Sequence, residues 1–242
     1  MTKLISLSVF LFIIGFLPAQ AADLSNIQGL NQAQFEALSK DLSSALTYRG
    51  VSPAESLGVT GIDVAVEVGA TKITDETAWN IATAGNAPAS LVTPRIHVVK
   101  GLPFGIDVGF LYSAVPDSNI RLAGGEVKYA LIKGGVATPA VALRLGYSQL
   151  IGVDLLKLNS TGLDLSISKG FAFVTPYVGI GAVHTTSSPE GPALTAGLTD
   201  VTVRQARYFV GVNVNLAVMN FGVEADKTGD ATTYTGKFGF RF

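Results

Sequence analysis

The chain ends in Tyr234-Thr235-Gly236-Lys237-Phe238-Gly239-Phe240-Arg241-Phe242, which alternates residue by residue between two kinds of side chain. Successive side chains of a β-strand point to opposite faces. The aromatic rings would therefore share one face, and Thr235, Lys237 and Arg241 would share the other. The stretch predicts a β-strand that lies between an apolar and a polar environment.

The same alternation recurs along the chain from residue 58 onward. It is strict in 62–71, 106–113, 141–148, 163–168 and 210–216, and weaker in 92–98, 126–131, 174–182 and 221–226. Together with the terminal strand these segments predict ten strands, within a range of 8–12. An even number is typical of a single-chain bacterial barrel. The fold class expected is all-β, an antiparallel transmembrane β-barrel over 58–242, with its last strand paired to its first near 62–70.

The composition favours a barrel over a helical membrane protein or a soluble domain. Charged residues make up 14% of the chain and the mean hydropathy is +0.42, whereas soluble domains are roughly 25% charged. A helical membrane protein concentrates its apolar residues in runs of about 20, but here they are spread over alternate positions. The net charge of −1 argues against a nucleic-acid partner. Without cysteine, with two distant histidines and without a phosphate-binding loop, the sequence predicts no metal and no cofactor.

The terminal strand resembles the C-terminal signature of bacterial outer-membrane proteins, in which a final Phe follows aromatic or apolar residues at alternate positions. Tyr234, Phe238, Phe240 and Phe242 carry the resemblance. Segment 174–182 also looks like a strand common in small outer-membrane barrels of unassigned function. The resemblance implies recognition by the barrel assembly machinery. Taken together with the strand pattern, it leads us to expect a monomeric barrel in the cell outer membrane, in contact with its lipids.

The first 21 residues have the pattern of a signal peptide. Lys3 precedes an apolar run over 4–17, and Ala19 and Ala21 supply small residues at the cleavage positions. Residues 22–57 then form a separate segment, predicted to be periplasmic, with a short helix near 31–48 that begins at an Asn31/Gln34 capping box. Its single apolar stripe needs only one covering surface. We therefore expect the helix on the periplasmic rim, with a plug inside the lumen as the alternative.

The polar strand faces predict the contents of the lumen. Ten strands enclose only slightly more space than eight, whose interior side chains can fill it, so a near balance of charges indicates an ion-paired interior and no wide pore. Inward glycines would leave room for a narrow channel or a small cavity. The predicted lumen residues are Asp63, Glu67, Arg95, His97, Asp107, Glu126, Lys128, Arg144, Asp164, Tyr177, Arg207, Glu224, Asp226, Lys237 and Arg241.

Three kinds of function remain open on this sequence. The expected one is non-enzymatic, a structural barrel or a narrow conduit for small or apolar solutes. The second is a lipid hydrolase, because His184, Ser187 and Glu190 faintly resemble the His, Ser and Glu of lipid A deacylase barrels; the spacing differs and no Asn follows Ser187. An omptin-like protease would instead need Asp75 and Glu76 beside His184. The third is a surface adhesion or docking barrel that acts through the loops near 74–89 and 186–200.

Overall fold

The computed structural model describes residues 23–242, so the predicted signal peptide over 1–21, with its cleavage residues Ala19 and Ala21, lies outside the described residues. Over residues 23–242 the fold consists of ten strands and three short α-helices. The strands are β1 (Ile62–Lys72), β2 (Ser90–Gly101), β3 (Ile106–Ala114), β4 (Arg121–Lys133), β5 (Ala140–Ile151), β6 (Leu156–Ser168), β7 (Val174–Pro189), β8 (Val201–Leu216), β9 (Met219–Thr228) and β10 (Ala231–Arg241). The helices are α1 (Gln32–Leu46), α2 (Glu76–Ala82) and α3 (Pro192–Thr195).

The strands form one closed antiparallel barrel, which confirms the predicted fold class and the count of ten. Each strand pairs with its neighbours in sequence, and β10 returns to pair with β1. In that closing pair Val64 lies opposite Phe240 and Val66 opposite Phe238. Closure leaves no free edge among the described strands, so the backbone polar groups of the wall bond to one another, as a strand surrounded by lipid requires.

The two faces of the wall differ in chemistry. The outward side chains are largely aliphatic and aromatic and stand exposed, as Val66, Ile180 and Val223 do. The inward side chains are buried and mostly polar. An apolar exterior around a polar interior is the arrangement of a barrel that crosses a membrane. Within residues 23–242, no helix is long and apolar enough to cross a bilayer.

The connections divide the barrel into two ends. At one end, here called the short-turn end, lie the connections 102–105, 134–139, 169–173 and 217–218 and the start of β1. The other, the long-loop end, carries the two longest connections, 73–89 and 190–200, together with 115–120, 152–155 and 229–230. The connection 152–155 is short because β5 extends to Ile151 and β6 begins at Leu156.

The placement of the N-terminal helix on the short-turn rim is wrong. Helix α1 lies inside the barrel at the long-loop end, where Ser43 Oγ is 2.7 Å from Thr185 Oγ1 and Ser44 Oγ donates a hydrogen bond to the carbonyl oxygen of Thr228. Residues 47–57 then run down the lumen to the short-turn end, where β1 begins. The apolar stripe misled the prediction because α1 also buries Ser39, Asp41, Ser43 and Ser44.

The main hydrophobic core therefore lies within the long-loop end of the barrel. Phe35, Leu38 and Leu42 of α1 pack with Trp79 of α2 and with inward leucines of the wall, among them Leu111, Leu122, Leu150 and Leu158. The N-terminal capping box of α1 forms as predicted, with Asn31 and Gln34 each accepting a hydrogen bond from the other's backbone. Helix α1 is thus held on several sides by the barrel that surrounds it.

Candidate functional site: the occupied lumen

The structure places the predicted lumen residues on the inner face of the wall. Fourteen of the fifteen are buried, and Arg241, at the short-turn end, is partly exposed. Their charges form a belt across the middle and lower lumen, below the hydrophobic core. We call this set, together with Arg49, the ionic belt.

Arg207 on β8 lies at the centre of the ionic belt. Its guanidinium group donates to Asp164 at 2.9 Å, to Glu224 at 3.1 Å and, through Nε, to Asp226. Asp226 also accepts a hydrogen bond from Arg49 Nη2 at 3.0 Å. Three strands of the wall and the N-terminal segment thus meet at one cluster of charges, and each carboxylate of the cluster contacts at least one arginine.

Further ion pairs continue the ionic belt around and down the lumen. Arg144 pairs with Glu126 at 2.8 Å and Lys128 with Asp107 at 3.1 Å. At the short-turn end, one carboxylate, Asp63, contacts Lys237 at 3.1 Å and Arg241 at 2.7 Å. Arg95 instead donates through Nη2 to the Thr93 hydroxyl at 3.0 Å and to the Ala45 carbonyl at 3.4 Å.

The ionic belt also binds the backbone of residues 52–57. Lys128 Nζ donates to the carbonyl oxygens of Pro53 at 3.1 Å and Glu55 at 2.9 Å. Asp107 accepts from the Leu57 amide, and Arg144 Nη2 donates to the Ser52 hydroxyl at 2.9 Å. The coil that runs through the lumen therefore makes additional hydrogen bonds to wall charges that are already paired with one another.

Tyr48 connects the coil to a carboxylate–imidazole pair on the wall. Its hydroxyl lies 2.6 Å from His97 Nε2, and His97 Nδ1 lies 3.0 Å from Glu67 Oε1. A carboxylate that orients an imidazole toward a hydroxyl is also the arrangement of a hydrolase triad. Here the hydroxyl is phenolic and all three side chains are buried. The arrangement positions the segment, since both ring nitrogens of His97 are engaged.

The inward glycines make the room that these side chains occupy. A Cβ atom at Gly124 or Gly146 would lie 3.0 Å from Tyr48, and one at Gly109 would lie 2.9 Å from its hydroxyl oxygen. On the opposite wall, the ring of Phe209 covers Gly179 and the ring of Tyr177 covers Gly211. Tyr177 also donates a hydrogen bond to Glu224 at 2.9 Å. The space expected for a channel is filled by aromatic rings.

Sequence reasoning missed Tyr48, Arg49 and the coil over 47–57 as parts of the lumen. A signal was present in the wall itself, because Gly109, Gly124 and Gly146 fall on the inward faces of three consecutive strands. Such a patch of missing side chains opposite many charges indicates that another part of the chain fills it. The position of helix α1 was predicted from its apolar residues alone, and these do not indicate where the chain runs after the helix ends.

No family model matches the sequence, and no curated protein matches it. Among solved structures, the N-terminal β-barrel domain of Pseudomonas aeruginosa OprF is similar at 15% identity, covering 74% of this chain and 97% of that chain with a TM-score of 0.35. The KdgM porin gives 10% identity, 76% and 99% coverage and a TM-score of 0.37. Neisserial surface protein A is similar at 12% identity, covering 75% of this chain and 94% of that chain with a TM-score of 0.32. The closed strand order and the apolar outer face of the chain itself define its architecture.

The architecture is that of a closed transmembrane β-barrel, with an apolar outer face around a polar lumen. In this barrel the side chains proposed as an assembly signal, Tyr234, Phe238, Phe240 and Phe242, stand on the outer face and are exposed. Phe238 packs against Phe221 and Phe240, with ring centroids 5.1 and 5.4 Å apart. Recognition of this strand by the assembly machinery stays a prediction.

The structure does not bring the candidate catalytic residues of this barrel together. His184 is exposed on the outer face of β7, Ser187 is buried on its inner face, and Glu190 follows the strand in the loop. Positions an odd number apart on a strand point to opposite sides of the wall. The residues of the omptin-like set also lie apart. Asp75 is the N-cap of α2, in the connection that follows β1, whereas His184 is on β7, four strand pairings away around the barrel.

Proposed function

We propose that this chain acts in the cell outer membrane as a non-enzymatic, structural barrel whose lumen is closed by its own N-terminal segment. The observation that carries the proposal is the path of residues 47–57 through the lumen. The narrow conduit expected from the sequence would then open only if this segment left the barrel. Outer-membrane lipid and, during assembly, the barrel assembly machinery are its proposed partners, and nucleic acid is not.

Contacts along the whole segment support a permanently closed state. Near its start, Ser43 contacts β7 and Ser44 contacts β9. In the middle, Tyr48 and Arg49 contact His97 and Asp226. Toward its end, the backbone of residues 53–57 contacts Lys128 and Asp107. Because these partners lie on five different strands, withdrawal of the segment would break contacts around the barrel at once.

The energy of the buried charges supports the same conclusion. Arg49 is fully buried, and its departure would leave Asp226 with one cation instead of two. Asp226 would keep Arg207 as a partner, so the loss is that of a hydrogen bond to a charged group, about 1.5–3 kcal/mol. A cost of that size alone keeps the open population below about 10%, since every 1.4 kcal/mol is a factor of ten. The apolar contacts of α1 lower this population further.

The proposal also gives the segment a direction across the membrane. Short turns of outer-membrane barrels face the periplasm. Helix α1 and Asp23 would then lie at the cell surface, above a coil that crosses the lumen. A peptide tag inserted before Asp23 should be reached by antibody on intact cells, whereas a tag in the 134–139 turn should be reached only after the outer membrane is permeabilised. The opposite pattern would reverse the proposed orientation.

Planar-bilayer conductance of the purified chain tests the closed lumen. We expect no steady conductance steps from the wild type. Since the chain has no cysteine, Ser43→Cys with Thr185→Cys would introduce a single disulfide that holds α1 to β7, and the Ser43→Cys variant alone is its control. Steady large steps from both the wild type and the oxidised double variant would refute the closed barrel. Steps that appear in the wild type and vanish only in the oxidised double variant would favour the conduit.

A weakened segment provides the converse measurement. Tyr48→Ala combined with Arg49→Ala removes the ring from its glycine-lined groove and one cation from Asp226. We expect this variant to show conductance steps that the wild type lacks. Arg121→Ala, on the outer face, is the control and should stay closed. Heat-modifiable migration on a gel shows in each case that the barrel itself has folded.

A further inference from the structure

The outer face of the described strands carries basic side chains but no acidic ones. In the described strands, every Asp and Glu side chain points into the lumen. This includes Asp63, which pairs with Arg241 at the short-turn end. At the long-loop end, by contrast, five strands each expose a basic side chain on the outer face, and we call this set the basic collar. Its members are Lys72, Arg121, Lys157, Arg204 and Lys227.

One sector of the collar contains a groove. It is an open depression of about 510 Å³ on the outer face of β6, β7 and β8. Ala182 and Ala206 lie opposite each other in the β7–β8 pair and form its floor, and Leu163 lies beside Ala182 on β6. Toward the short-turn end, Ile180 and Tyr208 stand opposite each other and are both more than half exposed. Two alanines bounded by larger apolar side chains thus leave a depression in the apolar surface.

The other end of the groove is polar and basic. His184 lies opposite Arg204 in the β7–β8 pair and opposite Thr161 in the β6–β7 pair. Side chains of directly opposed residues lie about 5 Å apart at Cβ, so the guanidinium, imidazole and hydroxyl groups can reach one common ligand. The described residues that line the groove include no carboxylate. An anion placed there would therefore meet donors only.

We propose that this groove binds one phosphorylated lipid of the outer leaflet. The phosphate lies against Arg204, His184 and Thr161, because the planar guanidinium fork matches phosphate oxygens. An acyl chain lies over Ala182 and Ala206. The inference rests on the proposed outer-membrane location. A lipid is the favoured occupant because the basic end continues directly into an apolar floor on the membrane-facing side of the wall.

Native mass spectrometry of the full chain released from detergent tests the phosphate half of the site. The probes are lipid A that carries its phosphates and the same lipid after phosphatase treatment. We expect the wild type to retain one phosphorylated lipid A and to bind the treated lipid at least about tenfold more weakly. Arg204→Ser should lose the same factor, which is about 1.4 kcal/mol. Arg121→Ser removes an equal charge from the collar on β4, away from the groove, and should bind like the wild type.

The acyl half of the site needs a variant that keeps every charge. Ala206→Leu fills the floor of the groove and should weaken lipid A retention by a similar factor. Ala123→Leu, on the outer face of β4, is the matched control and should have no effect. Inorganic phosphate added at millimolar concentration should not displace the lipid, because it makes none of the apolar contacts.

Three results would overturn the lipid site. They are equal losses in Arg204→Ser and Arg121→Ser, unchanged binding in Ala206→Leu, and displacement by inorganic phosphate alone. The first would assign retention to the collar as a whole, and the other two would remove the acyl subsite. Each preparation is also checked for heat-modifiable migration and for conductance. A folded, closed barrel without lipid retention contradicts this inference alone, whereas an open barrel that retains lipid contradicts only the proposed closure.

Discussion

The long-loop third of the lumen and the ionic belt below it are filled by the same segment through opposite chemistries. Above, Phe35, Leu38 and Leu42 pack with apolar side chains of the wall. Below, Tyr48 and Arg49 make hydrogen bonds and ion pairs. Apolar packing is graded, so it weakens in proportion to what is removed. A buried ion pair is not graded, since the loss of one partner leaves the other charged and buried.

The difference also explains how each part of the wall keeps its register. Around the ionic belt the strands alternate charged and apolar residues, so a slip by one residue would turn charges toward lipid. In the upper third both faces are apolar, as in β3, where inward Leu111 lies between outward Phe110 and Tyr112. The polar–apolar alternation specifies the face in the middle of the barrel. At the long-loop end, packing against helices α1 and α2 must fix which face of each strand points inward.

The largest effect is expected from Arg207→Met in the ionic belt. The change leaves Asp164, Glu224 and Asp226 close together with Arg49 as the remaining cation on Asp226. We expect the free energy of unfolding, measured by urea titration of the heat-modifiable gel band, to fall by about 3–5 kcal/mol. Arg121→Met, on the exposed face, is the control and should change it by less than about 0.5 kcal/mol. Equal losses in both would show that the belt contributes no special stability.

A smaller and more local effect is expected from Leu38→Ala in the upper third. Leu38 is fully buried between α1 and the wall, and truncation of a buried Leu costs about 2–5 kcal/mol. Because the chain has one tryptophan, Trp79 in the same core, its emission should shift to the red at lower urea than in the wild type. The urea midpoint measured from the heat-modifiable gel band of the barrel should fall less than the midpoint measured from Trp79 fluorescence. Leu194→Ala, exposed on α3, is the control, and a simultaneous loss of both signals would show that helix and barrel unfold as one unit.

The alternation of the strands predicted the barrel, its ten strands and the pairing of β10 with β1, because each strand reports its own two faces. The path of the N-terminal segment could not be predicted in the same way. The stripe through Phe35, Leu38 and Leu42 requires a cover but does not say which surface supplies it. The deciding information lies in the distant wall, in the glycines around Tyr48 and the partners of Arg49. Relations between residues about 50 to 180 positions apart leave no local pattern.

Asp41→Asn tests the buried carboxylate of α1 in the upper third. Asp41 accepts hydrogen bonds from the Thr74 amide at 2.9 Å, the Thr74 hydroxyl at 2.5 Å and Trp79 Nε1 at 3.0 Å. An amide replaces one of its oxygens by a donor that would face other donors. We expect a loss of about 2 kcal/mol, the usual size for hydrogen bonds to a charged group, seen as an earlier transition of Trp79 fluorescence. Asp75→Asn should change little because Asn caps a helix as well as Asp does. If the two variants behave alike, Asp41 does not hold the β1–β2 loop on α1.

Tyr48→Phe is expected to have the smallest effect, and it separates the two chemistries within one side chain. The ring would still fill the groove formed by Gly109, Gly124 and Gly146, while the hydrogen bond to His97 would be lost. A single buried hydrogen bond contributes about 1 kcal/mol, so the urea midpoint of Trp79 fluorescence should move slightly and the lumen should stay closed in the bilayer. Tyr147→Phe, which removes an exposed hydroxyl bonded to Asn159, is the matched control. A Tyr48→Phe variant that conducts would mean that the hydrogen bond, rather than the fit of the ring in its groove, keeps the segment in the barrel.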